Sequence, residues 1–168
     1  MVTISISDAI GALDKHVADP SEGLPDDIFY YISRVTPLVN IDLLINDEKR
    51  RTLLSWRDDQ FAGKGWHAPG GIVRFKETLE TRIKKVAEIE IGANISFDPI
   101  PIAINQIIHP NHANRGHFIS ILYQCFLSNI FIPQNKGLSM EDNGYLIWHN
   151  GCPDDLIEAH SIYKKYLS

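Results

Sequence analysis

PGGIVRFKETLETRIKKVAEIEIG, residues 69–92, sets two adjacent glycines directly before a charged stretch that keeps a carboxylate near its far end. Pro69-Gly70-Gly71 closes a hydrophobic and aromatic run (Trp66, His67, Ala68), and paired glycines free the backbone for close approach to a ligand or cation. From Thr78 to Ile91 there is no Gly or Pro, while Leu79, Ile83, Val86 or Ala87, and Glu90 recur at helical spacing. The spacing predicts a helix over 78–91, with Glu77 at its first turn and Gly92 as the residue that ends it. Glu77, Glu80, Glu88 and Glu90 alternate with Arg82, Lys84 and Lys85; from charge alone, a solvated face with i,i+4 pairs is the plainer reading.

Spacing shifts that balance. Gly71, five residues, Glu77, seven residues, Lys85, then Glu90 and Gly92 follow the frame of the Nudix box, G-x5-E-x7-R-E-U-x-E-E-x-G-U, where U is apolar. Lys85 stands for the box Arg, Val86 replaces the Glu beside it, and Ile89 replaces the first Glu of the pair. Of the three carboxylates that matter most for metal binding in that family, Glu90 alone is kept. One such carboxylate cannot assemble a multi-cation cluster, but it can hold a single divalent ion with a carbonyl of the Gly-Gly turn and waters.

This pattern resembles the GDP-mannose mannosyl hydrolase branch of the Nudix proteins, whose box also keeps the last Glu and has apolar residues at the other two positions. Thr36 to Asp42 is similar to its first strand, Leu53 to Arg57 to its second, and Gly65 through Glu80 to its turn and helix; the likeness spans roughly residues 28–150. It implies an α/β protein with the Nudix fold, a mixed β-sheet in an α/β/α sandwich. The implied reaction is Mg²⁺-dependent hydrolysis (Mn²⁺ as the other candidate) of a nucleoside-diphosphate sugar, GDP-mannose or GDP-glucose. Water attacks the anomeric carbon with inversion, and the cation stabilises the departing diphosphate.

Carried over position by position, the resemblance gives Glu90 as metal ligand, with the Gly70 carbonyl, and Asp142 at a further metal-ligand position. Arg57 would neutralise the leaving diphosphate, a role that suits a planar guanidinium. Asp42, alone in the apolar run 38–45, would orient nucleotide or sugar, or else satisfy a structural partner. Asn143 falls where the branch has its general-base His; since an amide cannot take a proton, Asp142, Glu141 or His149 become alternative bases. In the segment HPNHANRGH, His109 and Arg115 suit phosphate or sugar contact, the histidine spacing fits no common zinc site, and Phe118 stands where the branch has a tyrosine.

The rest of the chain bounds these readings. Its 168 residues, 44% hydrophobic, suffice for one domain with a sizeable core. A net charge of −5 argues against nucleic acid as a partner, and Lys, Asp or Pro interrupts every apolar stretch short of a membrane span. The opening MVTISISDAIGALDKH has neither the basic nor the apolar region of a signal peptide, and Cys125 and Cys152 read as free thiols, so a cytoplasmic setting is expected. Residues 1–24 read as an N-terminal extension, a candidate homodimer contact as in that branch, and 25–168 as the hydrolase domain. Expected helices are 7–17, 25–35 with Pro25 in its first turn, and 153–166; expected strands are 38–45, 52–56, 100–109, 117–127 and 145–149, with a charged hairpin over 46–51. Two rivals stay open: a catalytically impaired homologue that senses a nucleotide sugar, and a diphosphatase that attacks phosphorus with Glu88 or Asp142 as extra ligands.

Overall fold

The structure, a computed structural model, describes residues 4–167. Its elements are α1 (Ile6–Asp14), α2 (Asp26–Val35), β1 (Leu38–Asn46), β2 (Thr52–Asp59), β3 (Gly63–His67), β4 (Gly70–Ile72), α3 (Leu79–Val86), β5 (Ser96–Phe97), β6 (Ala103–Ile108), β7 (His117–Phe126) and β8 (Leu146–His149). A π-helical turn, Ala87–Ile91, extends α3, and a 3₁₀ segment covers Glu158–Tyr166.

One mixed sheet of eight strands organises the chain. β1 and β7 pair in parallel along their length, from Leu38 opposite Phe118 to Asn46 opposite Phe126, and the remaining pairs are antiparallel. A strand in the middle of such a sheet is covered on both faces, which is why β1 reads as a nearly continuous apolar run. Ile41, Leu43 and Ile45 turn to the face covered by Ile83 and Val86 of α3 and Ala87 of the π turn. Leu44 turns to the other, where it joins Leu54, Trp56, Trp66 and Tyr163 of the 3₁₀ segment. Layers on both faces make an α/β sandwich.

The sheet splits where the site forms. On one edge of β1, β4 pairs with Asn40 to Asp42, whereas β2 pairs only with Ile45 and Asn46. Between them β2 leans away to pair with β3 and β8, and the diverging strands leave a cleft. Gly71 lets α3 pack down beside it: a Cβ there would lie 3.0 Å from Val86 Cγ2.

Several expectations need correcting. Pro25 caps α2 from outside rather than standing in its first turn. The expected strand over 100–109 starts only at Ala103, since Pro101 cannot donate to a ladder. β2 runs on to Asp59, and β3, β4 and β5 were not expected at all; glycines in the first two and the shortness of the last hide their pattern. Residues 153–157 are not helical: Trp66 N–H donates to Asp155 O and Ile157 N–H to Trp66 O, so this segment lies along β3. α1 buries none of its described residues.

Candidate functional site

Arg57 of β2, His67 at the end of β3, Gly70 of β4 and Glu90 of the π turn converge on the split. Arg57 and His67 stand in the wall shared by two adjoining recesses. Asp42, Gly70, His109, Arg115 and Phe118 line the first, and Glu90, Asp59 and Asn143 line the second. Six of the expected substrate and metal residues, Asp42, Arg57, Gly70, Glu90, His109 and Phe118, thus border the two recesses that meet at Arg57.

Glu90 owes its position to a helix that widens at its end. Gly92 N–H reaches back to the carbonyls of both Ala87 and Glu88, and Gly92 itself is left-handed, with φ 70°, as the stop signal predicts. On this wide turn Ile89 is 74% exposed while the Glu90 side chain is 26% exposed. Burial drives the Glu90 carboxyl up to about 7; Arg57 and the Gly70 N–H pull it down, and Asp42 pushes it further up. The two other metal-binding positions of the box, 86 and 89, carry no carboxylate, and Val86 is locked in the core.

Gly70 belongs to an alternating strand. Pro69 O accepts from Leu43 N–H and Gly71 pairs with Ile41, so the backbone groups of Gly70 face away from β1, toward the Glu90 side. A side chain there is excluded, because a Cβ would strike Asp42 Oδ1 and lie 2.7 Å from Ile41 O. It is the Gly70 N–H that meets the Glu90 carboxylate.

His67 is the residue that sequence reading overlooked. It is 4% exposed, and its Nδ1 lies 2.7 Å from the Ser55 carbonyl, which can only accept, so Nδ1 carries the proton. The lone pair therefore sits on Nε2, which is buried without a hydrogen-bond partner among the described residues and lies 4.0 Å from Glu90 Oε2. Burial, with Arg57 and His160 nearby, holds the ring well below the usual histidine range, and it is neutral.

Asp42 is more enclosed than a substrate ligand needs to be. Ser120 Oγ and Tyr163 O–H both donate to its Oδ2, Asn40 Nδ2 donates to Oδ1 at 2.9 Å, and His160 Nε2 stands 3.8 Å away. His160 in turn accepts from Ala68 N–H at 3.0 Å. The carboxylate knits β1, β7 and the 3₁₀ segment together, and its edge still reaches the first recess.

Glu77 lies outside α3, before the N-cap Thr78, rather than in the first turn. Its Oε2 accepts from Arg74 N–H and from Arg82 Nε at 2.7 Å, and Lys85 Nζ is 3.6 Å from Oε1. Burial pushes this carboxyl up, but the Arg74 N–H and the Arg82 and Lys85 cations outweigh it and hold it below its ordinary value. Glu77 and Lys85 thus fasten the turn to the helix.

In the first recess, Arg115 lies over the rings of Phe61, at 4.6 Å, and Phe29, at 5.9 Å, and its N–H donates to Ser33 Oγ of α2. His109 stacks on His112 with ring centroids 4.9 Å apart. The recess thus combines aromatic faces with a guanidinium.

The loop residues are arranged otherwise than expected. Asp142 is not brought to Glu90: its carboxylate accepts from Ser139 N–H and Oγ–H within its own turn. Both ends of the Asn143 amide are taken by the Asp58 backbone, the oxygen accepting from N–H at 2.5 Å and the nitrogen donating to O at 3.1 Å. Asn143→Ala should therefore release residues 139–144, seen as faster amide exchange there and a stability loss of about 1–2 kcal/mol; unchanged exchange would show that this clamp holds nothing. Among the described residues there is no group of three or more His, Cys, Asp or Glu able to hold a metal ion. Any cation in the cleft is therefore held by fewer than three such side chains, with backbone oxygen and solvent completing its shell.

No protein-family model matches the chain. In sequence it is similar to the low-salt glycan biosynthesis protein Agl8 of Haloferax volcanii, 35% identical over 79 residues, which make up 47% of this chain and 50% of that protein. The chain spans about half the length of the curated relative it matches. In structure it is similar to the MutT NUDIX hydrolase from Burkholderia pseudomallei, with a TM-score of 0.62, 21% identity, and 79% of this chain and 99% of the other covered. A UDP-X diphosphatase gives a TM-score of 0.55 at 15% identity, over 98% of this chain and 68% of the other. The fold of this chain is the Nudix fold. At these identities the likeness to the solved structures establishes the fold and leaves activity to the site. Among the described residues no helix is long and apolar enough to cross a membrane.

Proposed function

We propose that the chain is a divalent-cation-dependent hydrolase that releases a free sugar from a nucleoside diphosphate, GDP-mannose and GDP-glucose being the leading substrates. The observation that carries this is the solitary carboxylate. Glu90 faces the Gly70 backbone and Arg57, while Val86 lies in the core and Ile89 in solvent where further acidic ligands would be needed. A bound cation supplies charge neutralisation for the diphosphate oxygens. One cation with one guanidinium suits a leaving group better than it suits activation of water against phosphorus.

In this reading Glu90 and the Gly70 carbonyl hold the cation, and Arg57 binds the diphosphate. Arg115, His109 and Phe118 bind the nucleotide or sugar in the first recess, and Asp42 fixes β1 beneath them. Water attacks the anomeric carbon and the bond from that carbon to the diphosphate oxygen breaks. The diphosphate leaves with the electron pair, and the water proton passes to an acceptor on the far face of the sugar. Glu141 and Asp142 are the candidate acceptors. Glu141 is held by Lys64 at 2.9 Å in an exposed pair, and Asp142 would first have to leave Ser139.

Incubation with GDP-mannose and a divalent cation in ¹⁸O-labelled water tests this reading. Labelled mannose beside unlabelled GDP is the expected result. GMP with mannose 1-phosphate would replace carbon attack by phosphorus attack, and retained binding without turnover would make the protein a sensor.

A further inference from the structure

His67 carries a feature that the hydrolase reading does not use. A histidine at 4% exposure with one ring nitrogen unpartnered among the described residues is a poor way to fill a core position, since an unmet buried polar atom is destabilising. The ring does not drift in its slot: Nδ1–H is fixed on the Ser55 carbonyl, and β3 is held in register with β2 there, His67 opposite Ser55. A backbone carbonyl behind a ring of this kind is the arrangement that fixes tautomer and orientation in metal-ligating histidines. The free lone pair then points into the cleft at the carboxylate of Glu90.

The separation can be tested against bond lengths. Imidazole nitrogen and carboxylate oxygen each bind a first-row divalent ion at about 2.0–2.2 Å, so one ion can join two such atoms up to about 4.2 Å apart. Nε2 and Oε2 stand 4.0 Å apart, too far for a hydrogen bond and within the span of one shared ion. Glu90, partly exposed, has room to swing inward and close the angle, whereas His67 is fixed. Gly70 turns its backbone to the same side. The imidazole nitrogen and the carboxylate oxygen therefore face each other across the cleft wall.

Resting on the hydrolase reading for the site as a whole, we infer that His67 Nε2 is a ligand of the cation held by Glu90. The cation is then a borderline transition ion such as Mn²⁺, Co²⁺ or Zn²⁺ rather than Mg²⁺. Mg²⁺ favours an all-oxygen octahedron and takes an imidazole poorly, whereas Mn²⁺ and the later ions accept mixed nitrogen and oxygen sets. The other use of a free Nε2, as general base, fits less well. A base for carbon attack belongs on the face of the sugar opposite the diphosphate, and His67 stands beside the group that holds the diphosphate's cation.

The test reads the ligand directly and needs no turnover. Mn²⁺ is titrated into the intact protein and pulsed electron paramagnetic resonance is recorded for ¹⁴N modulation, with Mg²⁺ and Zn²⁺ affinities measured by calorimetry. The expected result is nitrogen modulation in the wild type, its loss in His67→Phe, and a fall in Mn²⁺ and Zn²⁺ affinity of at least about tenfold, the loss that outer-shell changes alone can cause. Mg²⁺ affinity should change little. His67→Gln serves where the phenylalanine variant fails to fold, and the wild-type spectrum decides by itself. Mn²⁺ bound without ¹⁴N modulation and released by Glu90→Gln would overturn the inference and leave an all-oxygen site; so would the absence of any Mn²⁺ binding. Modulation without hydrolysis of GDP-mannose would keep the ligand and sink the activity, and Mg²⁺-supported hydrolysis without modulation would do the reverse.

Discussion

Glu77→Ala is expected to cost the fold about 3–5 kcal/mol, the loss that follows when one partner of a buried ion pair is removed. The Glu77 side chain is 4% exposed and that of Arg82 7%, and their nearest charged atoms are 2.7 Å apart. Alanine would leave the Arg82 guanidinium buried beside Gly71 with its charge unmatched, and Arg74 N–H without its acceptor. The effect should follow pH. A carboxyl held below its ordinary value adds stability above the unfolded value of 4.5 that is lost as pH falls through the lower folded value, so wild type and variant should converge in acid. Chemical denaturation of both proteins at pH 7 and pH 3 measures this. A difference under about 1 kcal/mol at pH 7 would class the pair with exposed ones.

Glu90→Gln should have the opposite thermodynamic sign and the larger functional effect. Burial raises this carboxyl to about 7 from 4.5, so its stabilising contribution is full below 4.5 and disappears as pH rises through 7. At pH 8 the native state therefore carries a carboxylate it would rather protonate, a cost of at most about 3 kcal/mol at 1.36 per unit. An amide removes that cost. The metal-free variant should melt higher than wild type at pH 8, by up to that amount, and no higher at pH 4. Cation binding should be lost with the charge, and with it turnover by about 100-fold or more, the equivalent of the several kcal/mol a metal contributes to a leaving group. A variant that hydrolyses at the wild-type rate would remove Glu90 from the site, and an unchanged melting temperature at pH 8 would deny the stored cost.

These opposed outcomes for two carboxylates thirteen positions apart in one motif show what sequence could and could not convey. The glycine turn, the helix, its stop at Gly92 and the inward Glu90 are local and periodic, so spacing reveals them. The tasks of Glu77 and Lys85 depend on where the loop before α3 folds back, which spacing leaves open. His67 was invisible because a lone histidine between Trp66 and Ala68 reads as core filler; only the Ser55 carbonyl, brought opposite by strand pairing, makes one nitrogen free. The expected helix over 153–166 starts only at Glu158, as 3₁₀, for a related reason, since residues 155–157 answer to Trp66 across the molecule rather than to their own neighbours. The motif position of Asn143 and Asp142 likewise does not convey that their polar atoms are engaged in closing loops.

The enclosure of Asp42 also orders events during synthesis. Tyr163 donates to this carboxylate from 121 positions further along the chain, and Ser120 from 78. On the ribosome β1 is made long before either hydroxyl exists, and until then Asp42 sits among Ile41, Leu43 and Leu44 on a strand with no partner on its β7 side. A nascent chain halted short of residue 117 would present an unpaired apolar edge with a charge in its middle, which is a surface that chaperones hold rather than one that folds. The cleft is therefore assembled late, and truncation, more than substitution, should decide whether the polypeptide survives quality control.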